Sequence, residues 1–255
     1  MSGCNLPFYK GLVLIWCAGL CLGTSRSPAQ EIATETELAD QVVALIASLP
    51  SDPDLPLAWE NTAVYDRSAG LDDLQANFIT RIRAALHTGQ PAALETVLDQ
   101  TPAFSAVTGD VTRFWLAYGL AAAGRPQESL EPIRELLGNP LALTGLGAGQ
   151  RTWLVTAAAD QNFLAGNTAQ ARSLYEVMAR SGRPFLMRWG TYQLAGLDFV
   201  AFAYEASAAG YRTVCSSGAD DIMTDQACSM ADMAELLAQF RREGEPYGAA
   251  KYFAP

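Results

Sequence analysis

Apolar residues along this chain recur at steps of three and four, and no stretch alternates apolar with polar at period two. Such steps return side chains to one face of an α-helix, so the pattern predicts helices and no strand. The first stripe is Leu38, Val42, Leu45 and Leu49, behind a capping box from Thr34 to Glu37 that would satisfy the first free backbone N–H groups. Ser51-Asp52-Pro53-Asp54-Leu55-Pro56 breaks it. A second stripe, Leu71, Leu74, Phe78, Ile82 and Leu86, ends at Gly89. Pro91 opens a helix that closes near Thr101-Pro102, and Asp110 caps one with Val111, Phe114, Trp115 and Tyr118 inward, ending at Gly124. Pro126 suits a first turn, but Pro132 would remove a donor inside the same helix, so its expected start moves to Ser129.

Downstream, the glycine-rich stretch 138–149 reads as a flexible break. Trp153–Leu164 and Ala169–Met178 form a hairpin about Gly166. Pro184 opens an apolar stretch to Ala209, expected as one or two buried helices interrupted near Gly190 or Gly196. Ser229 to Asp232 are expected to cap a last helix through Met233, Leu236, Leu237 and Phe240. The fold class is all-α, with one helical domain over residues 30–255.

The start of the chain changes the picture of where it works. Lys10 and no acid precede an apolar run, Leu12 to Leu22, and a polar exit ending in Ser-Pro-Ala. These are the three parts of a secretory signal, and Ser27 and Ala29 suit the small-residue subsites for cleavage after Ala29. An apolar run of about eleven residues is too short to span ~30 Å of hydrocarbon, so residues 1–29 are expected to be removed. Neither Cys17 after Trp16 nor Cys21 after Leu20 has the small preceding residue of a lipid-anchor site. The mature chain would be periplasmic or secreted, from a bacterium, and without a transmembrane segment.

Cleavage removes Cys4, Cys17 and Cys21 and leaves Cys215 and Cys228. Two thiols alone in an oxidising compartment predict a disulfide, and two sulfurs with no histidine nearby do not complete a zinc tetrahedron. Lys10 and Arg26 leave too, so 27 acids face 15 bases and the formal charge falls from −10 to −12. A nucleic-acid partner is excluded for want of a positive stripe.

Helix-glycine-helix units recur, with turn glycines at Gly89, Gly124 and Gly166, spaced 35 and 42 residues apart, and Gly210 as a candidate fourth turn. Two helices per unit at a period near 34 resemble tetratricopeptide repeats. Leu116–Leu137 resembles such a unit, and Ala157–Met178 does so more closely, with small Ala159 and Ala171, Gly166 at the turn and Tyr175 as the large packing residue. Leu94, Thr101, Leu136 and Met178 depart from the pattern. The resemblance covers about residues 71–182 and implies an α-solenoid of antiparallel helix hairpins; the alternative is a non-repeating helical bundle.

Chemistry is sparse. The single histidine, His87, lies two residues before Gly89, where it can serve the last helical carbonyls. No nucleophile-elbow, zinc-protease, haem-attachment or phosphate-loop motif is present, so no catalytic residue, metal site or cofactor is assigned. Asp220, Asp221 and Asp225 read as a solvated acidic turn, because their spacing fits no calcium-binding loop. Asp72-Asp73 reads as a helix start. Trp59, Trp115, Trp153 and Trp189 read as core rather than as stacking platforms. The expectation is an interaction or scaffold module of the cell envelope. Its inner face would hold a protein or peptide on Leu71–Leu86, Val111–Ala123 and Trp153–Leu164, with Arg113 and Gln161 as polar contacts. The alternative is an envelope enzyme or a small-molecule- or glycan-binding protein built from scattered acids and aromatics.

Overall fold

Prolines set the starts of several helices. Pro91, Pro126, Pro140 and Pro184 each occupy the first turn of a helix, where the missing N–H would have no intrahelical partner anyway. A computed structural model describes the backbone of residues 28–50, 73–100 and 109–243. Those residues form α1 (Pro28–Ser48), α2 (Asp73–Thr88), α3 (Pro91–Asp99), α4 (Asp110–Ala122), α5 (Pro126–Leu137), α6 (Pro140–Thr144), α7 (Ala148–Leu164), α8 (Thr168–Ala179), α9 (Pro184–Val200), α10 (Tyr204–Cys215) and α11 (Ile222–Glu243). No strand occurs among the described residues, so the all-α reading holds. Residues 1–27 of the expected signal segment 1–29, the break 51–56, Trp59, Leu71, Asp72 and Thr101-Pro102 lie outside them.

Several helix ends differ from expectation, each for a physical reason. The first helix is already under way at Pro28, ahead of the capping box. α5 starts at Pro126 and runs through Pro132; burial of Leu130, Ile133, Leu136 and Leu137 on both sides outweighs one lost backbone bond. Within the glycine-rich stretch Asn139 accepts from the backbone N–H groups of Leu141 and Ala142 to cap α6, and Leu146 and Gln150 are buried. Gly190 and Gly196 lie inside α9 rather than ending it. A Cβ at Gly190 would stand 2.5 Å from the Tyr175 carbonyl oxygen and 2.6 Å from the Ala179 nitrogen, so glycine here permits helix contact at backbone distance. Gly210 likewise lies within α10 against Ala195 and is not a turn.

Among the described residues the chain divides within α8: those up to Ala171 belong to one compact unit and those from Arg172 to a second. In the first unit, α2, α3, α4 and α5 pack in succession, and α5 packs on α7. α1 breaks the succession by packing across α5 and α7. Phe114, Trp115, Tyr118 and Trp153 fill this core edge to face, with ring centroids 5.0 to 5.7 Å apart for Phe114–Trp115, Phe114–Trp153 and Tyr118–Trp153. Within the second unit α9 packs on α10 and α10 on α11. Trp189 is buried there, and Asp198 pairs with Arg172 at 2.9 Å.

Candidate functional site

Arg113 and Gln161 are held by the first unit itself. The Arg113 guanidinium lies 2.6 Å from Glu135 on α5 and 3.1 Å from Asp110 one turn back, and its side chain is only 27 % exposed. Gln161 is 7 % exposed, and its amide oxygen accepts from the Ser129 hydroxyl at 3.1 Å. Thus Gln161 ties α7 to α5 and is closed to a partner, contrary to its expected place on an inner face. The reason lies in α7, which is buried around its whole circumference from Thr152 to Ala159. A helix buried on all sides belongs to a core, and the packing of α1 helps put it there.

The remaining candidates fall into structural roles. His87 is exposed in the last turn of α2. Trp115, Trp153 and Trp189 are 3 %, 7 % and 7 % exposed and are core residues, as read from the sequence. Asp73 begins α2. Asp221 caps α11, accepting from the backbone N–H and hydroxyl of Thr224, and its other oxygen meets Arg188 of α9 at 2.7 Å. No cluster of three metal-ligating side chains occurs among the described residues.

Cys215 and Cys228 are bonded, with sulfurs 1.99 Å apart. They are not the two ends of a free loop. Cys215 is the last residue of α10 and Cys228 lies in the second turn of α11, so the bridge staples consecutive helices. Beside it Arg212 binds both Asp232 and Glu235, and hydrogen bonds to Glu235 and then Asp232 raise its pKa. Tyr211, fully buried with its ring 5.2 Å from that of Tyr192, has its phenol pushed up by burial and then by Tyr192. It serves the core as a neutral ring.

Two features escaped sequence reading. The first is a fourth hairpin turn, at Phe202. The Ala203 N–H reaches the Asp198 carbonyl and the Phe202 N–H the Phe199 carbonyl, with Phe202 left-handed at φ +60. The same pair of bonds closes the turns at Gly124 and Gly166, the closure in which the residue past a helix adopts a left-handed backbone. Glycine is the usual signal for it, and a phenylalanine gave none. The second is the distribution of exposed large apolar residues. Met187, Val200, Phe202, Ile222, Met233 and Leu236 lie in the second unit, against Val43 and Leu141 in the first.

No family model matches the chain, and no curated protein or solved structure matches it.

Proposed function

We propose that this is an exported helical-repeat protein of the bacterial cell envelope that acts as a protein–protein interaction or scaffold module. The observation that carries the reading is the recurrence of one hairpin closure. One bond pair closes the turns at Gly124, Gly166 and Phe202, 42 and 36 residues apart, and Gly89, left-handed like them, stands 35 residues before; Gly182 and Gly218 are left-handed too, at the α8–α9 and α10–α11 junctions. Hairpins of this kind bury their apolar stripes by stacking on their neighbours, which is the logic of a tetratricopeptide-like solenoid. Export is supported by the signal pattern and by the disulfide, since such bonds persist in oxidising compartments. No described helix is long and apolar enough to cross a membrane.

One observation favours the bundle alternative for the first unit. The packing of α1 across α5 and α7 is a contact between elements distant in sequence, which a strict array lacks. On either arrangement the buried α7 offers little surface, so a partner-binding face falls more naturally to the second unit.

The test is cross-linked capture of the mature chain in its own cell envelope, followed by reconstitution with the purified candidate. A partner that binds the purified chain at stoichiometric ratio supports the module. A chain that retains no protein but turns over or binds an envelope glycan would establish the alternative.

A further inference from the structure

The last helix carries two apolar faces of different kinds. Ala227, Ala231, Ala234 and Ala238 form a stripe of small residues, buried where α11 packs on α10. At 100° per residue, Leu236 and Met233 face outward, and Met230 and Leu237 lie on the flank between them and the buried stripe. Met233 is 43 % and Leu236 38 % exposed, Met230 and Leu237 are half-buried, and Ile222, 51 % exposed, extends the outward face to the helix start.

The outward face has an acidic edge. Asp225, Asp232 and Glu243 are all exposed, and their separations of seven and eleven residues keep them on one side of the helix. Asp225 has no ion pair among the described residues, and Asp232 shares the single Arg212 with Glu235. The basic residues at the end of α11 point elsewhere: Arg241 donates to the Phe202 carbonyl and Arg242 meets Glu205 at 3.8 Å. Mature net charge adds a field of the same sign.

We propose that the outward face of α11 is a docking surface for a basic amphipathic helix of a partner protein. The partner's apolar side chains lie on Met230, Met233, Leu236 and Leu237, and its lysines or arginines run along Asp225, Asp232 and Glu243. Methionine suits such a surface because its unbranched thioether adapts to the side chain it meets. A second copy of this chain would bring the same acidic edge, so charge selects against it. The inference rests on the interaction-module reading and names its surface.

The probe is a fluorescein-labelled amphipathic helical peptide of leucine and lysine, with a leucine–glutamate counterpart, titrated into residues 30–255 and followed by anisotropy. The leucine–lysine peptide binds and the leucine–glutamate peptide does not. Replacing Met233 and Leu236 together by serine weakens binding about tenfold or more, as loss of two central contacts does. Asp225→Asn with Asp232→Asn weakens it several-fold and flattens its fall with salt. Both double variants keep the wild-type circular dichroism, and Val43→Ser on α1 binds as wild type. Equal weakening by Val43→Ser, or none by the double serine variant, overturns the proposal in favour of binding to net charge. A wild-type dimer in sedimentation that the double serine variant abolishes assigns the face to a second copy. Binding seen only after removal of residues 244–255 assigns it to the chain's own end. A native partner retained undiminished by the double serine variant overturns this face alone, whereas failure to reconstitute any partner overturns the module.

Discussion

Phe202 shows how much one residue can cost and conceal. It stands 63 % exposed at φ +60, where its ring meets only Tyr204 edge-on at 6.1 Å among the described aromatic pairs, while its carbonyl accepts from Arg241. An L-residue in this region carries roughly 1–2 kcal/mol of steric cost that glycine avoids. Phe202→Gly is therefore expected to raise the melting temperature by about 2–4 °C, the shift that ~1 kcal/mol produces in a chain of this size. A thermal melt in which the variant unfolds earlier would mean that the ring holds the turn by packing. Gln161 illustrates the opposite error: a polar side chain on a periodic helix reads as exposed, yet here its amide is buried against Ser129.

At the scale of elements, the staple between α10 and α11 decides most. Sequence arithmetic paired Cys215 with Cys228 correctly, but placed them across a loop and started the last helix near Ser229. Asp221 caps α11 from Ile222 instead, so Cys228 is already helical and the bond joins two packed helices. In the chain-entropy account, closing 13 residues of separation restricts the unfolded chain by roughly 3 kcal/mol. Replacing both cysteines by serine is expected to lower the melting temperature by about 6–12 °C while leaving the helical signal at 20 °C unchanged. Thiol labelling of the unreduced wild type should give no adduct at either position. Labelling of both, or an unshifted melt, would show that the bridge does not form or does not matter.

For the whole molecule, the question is where it works and what it meets. Loss of residues 1–29 would leave Gln30 as the first residue, two positions inside α1. The new end would therefore belong to the helix that packs across α5 and α7. Intact-mass analysis of exported protein is expected to show a start at Gln30; retention of Met1 would remove the basis for placing the chain outside the cytoplasm. The apolar residues that the second unit leaves in water then face an aqueous envelope, which is where a partner would reach them.

The helical class, most turn positions and the disulfide partners were legible in the sequence because they depend on local rules. Period, proline and glycine act within one or two turns of themselves, and the pairing of Cys215 with Cys228 required only a count. Contacts between distant segments lay beyond those rules. That α1 lies on α5 and α7, that Pro132 is tolerated, and that Gly190 and Gly210 serve close helix contact rather than turns all depend on which surfaces meet. Burial against a neighbour outweighs local propensity by several kcal/mol across an interface. The same balance withdrew Gln161 from solvent and left Met233 and Leu236 facing it. The hydrophobic pattern of a helix marks which faces seek cover, and only the tertiary structure decides which of them receive it.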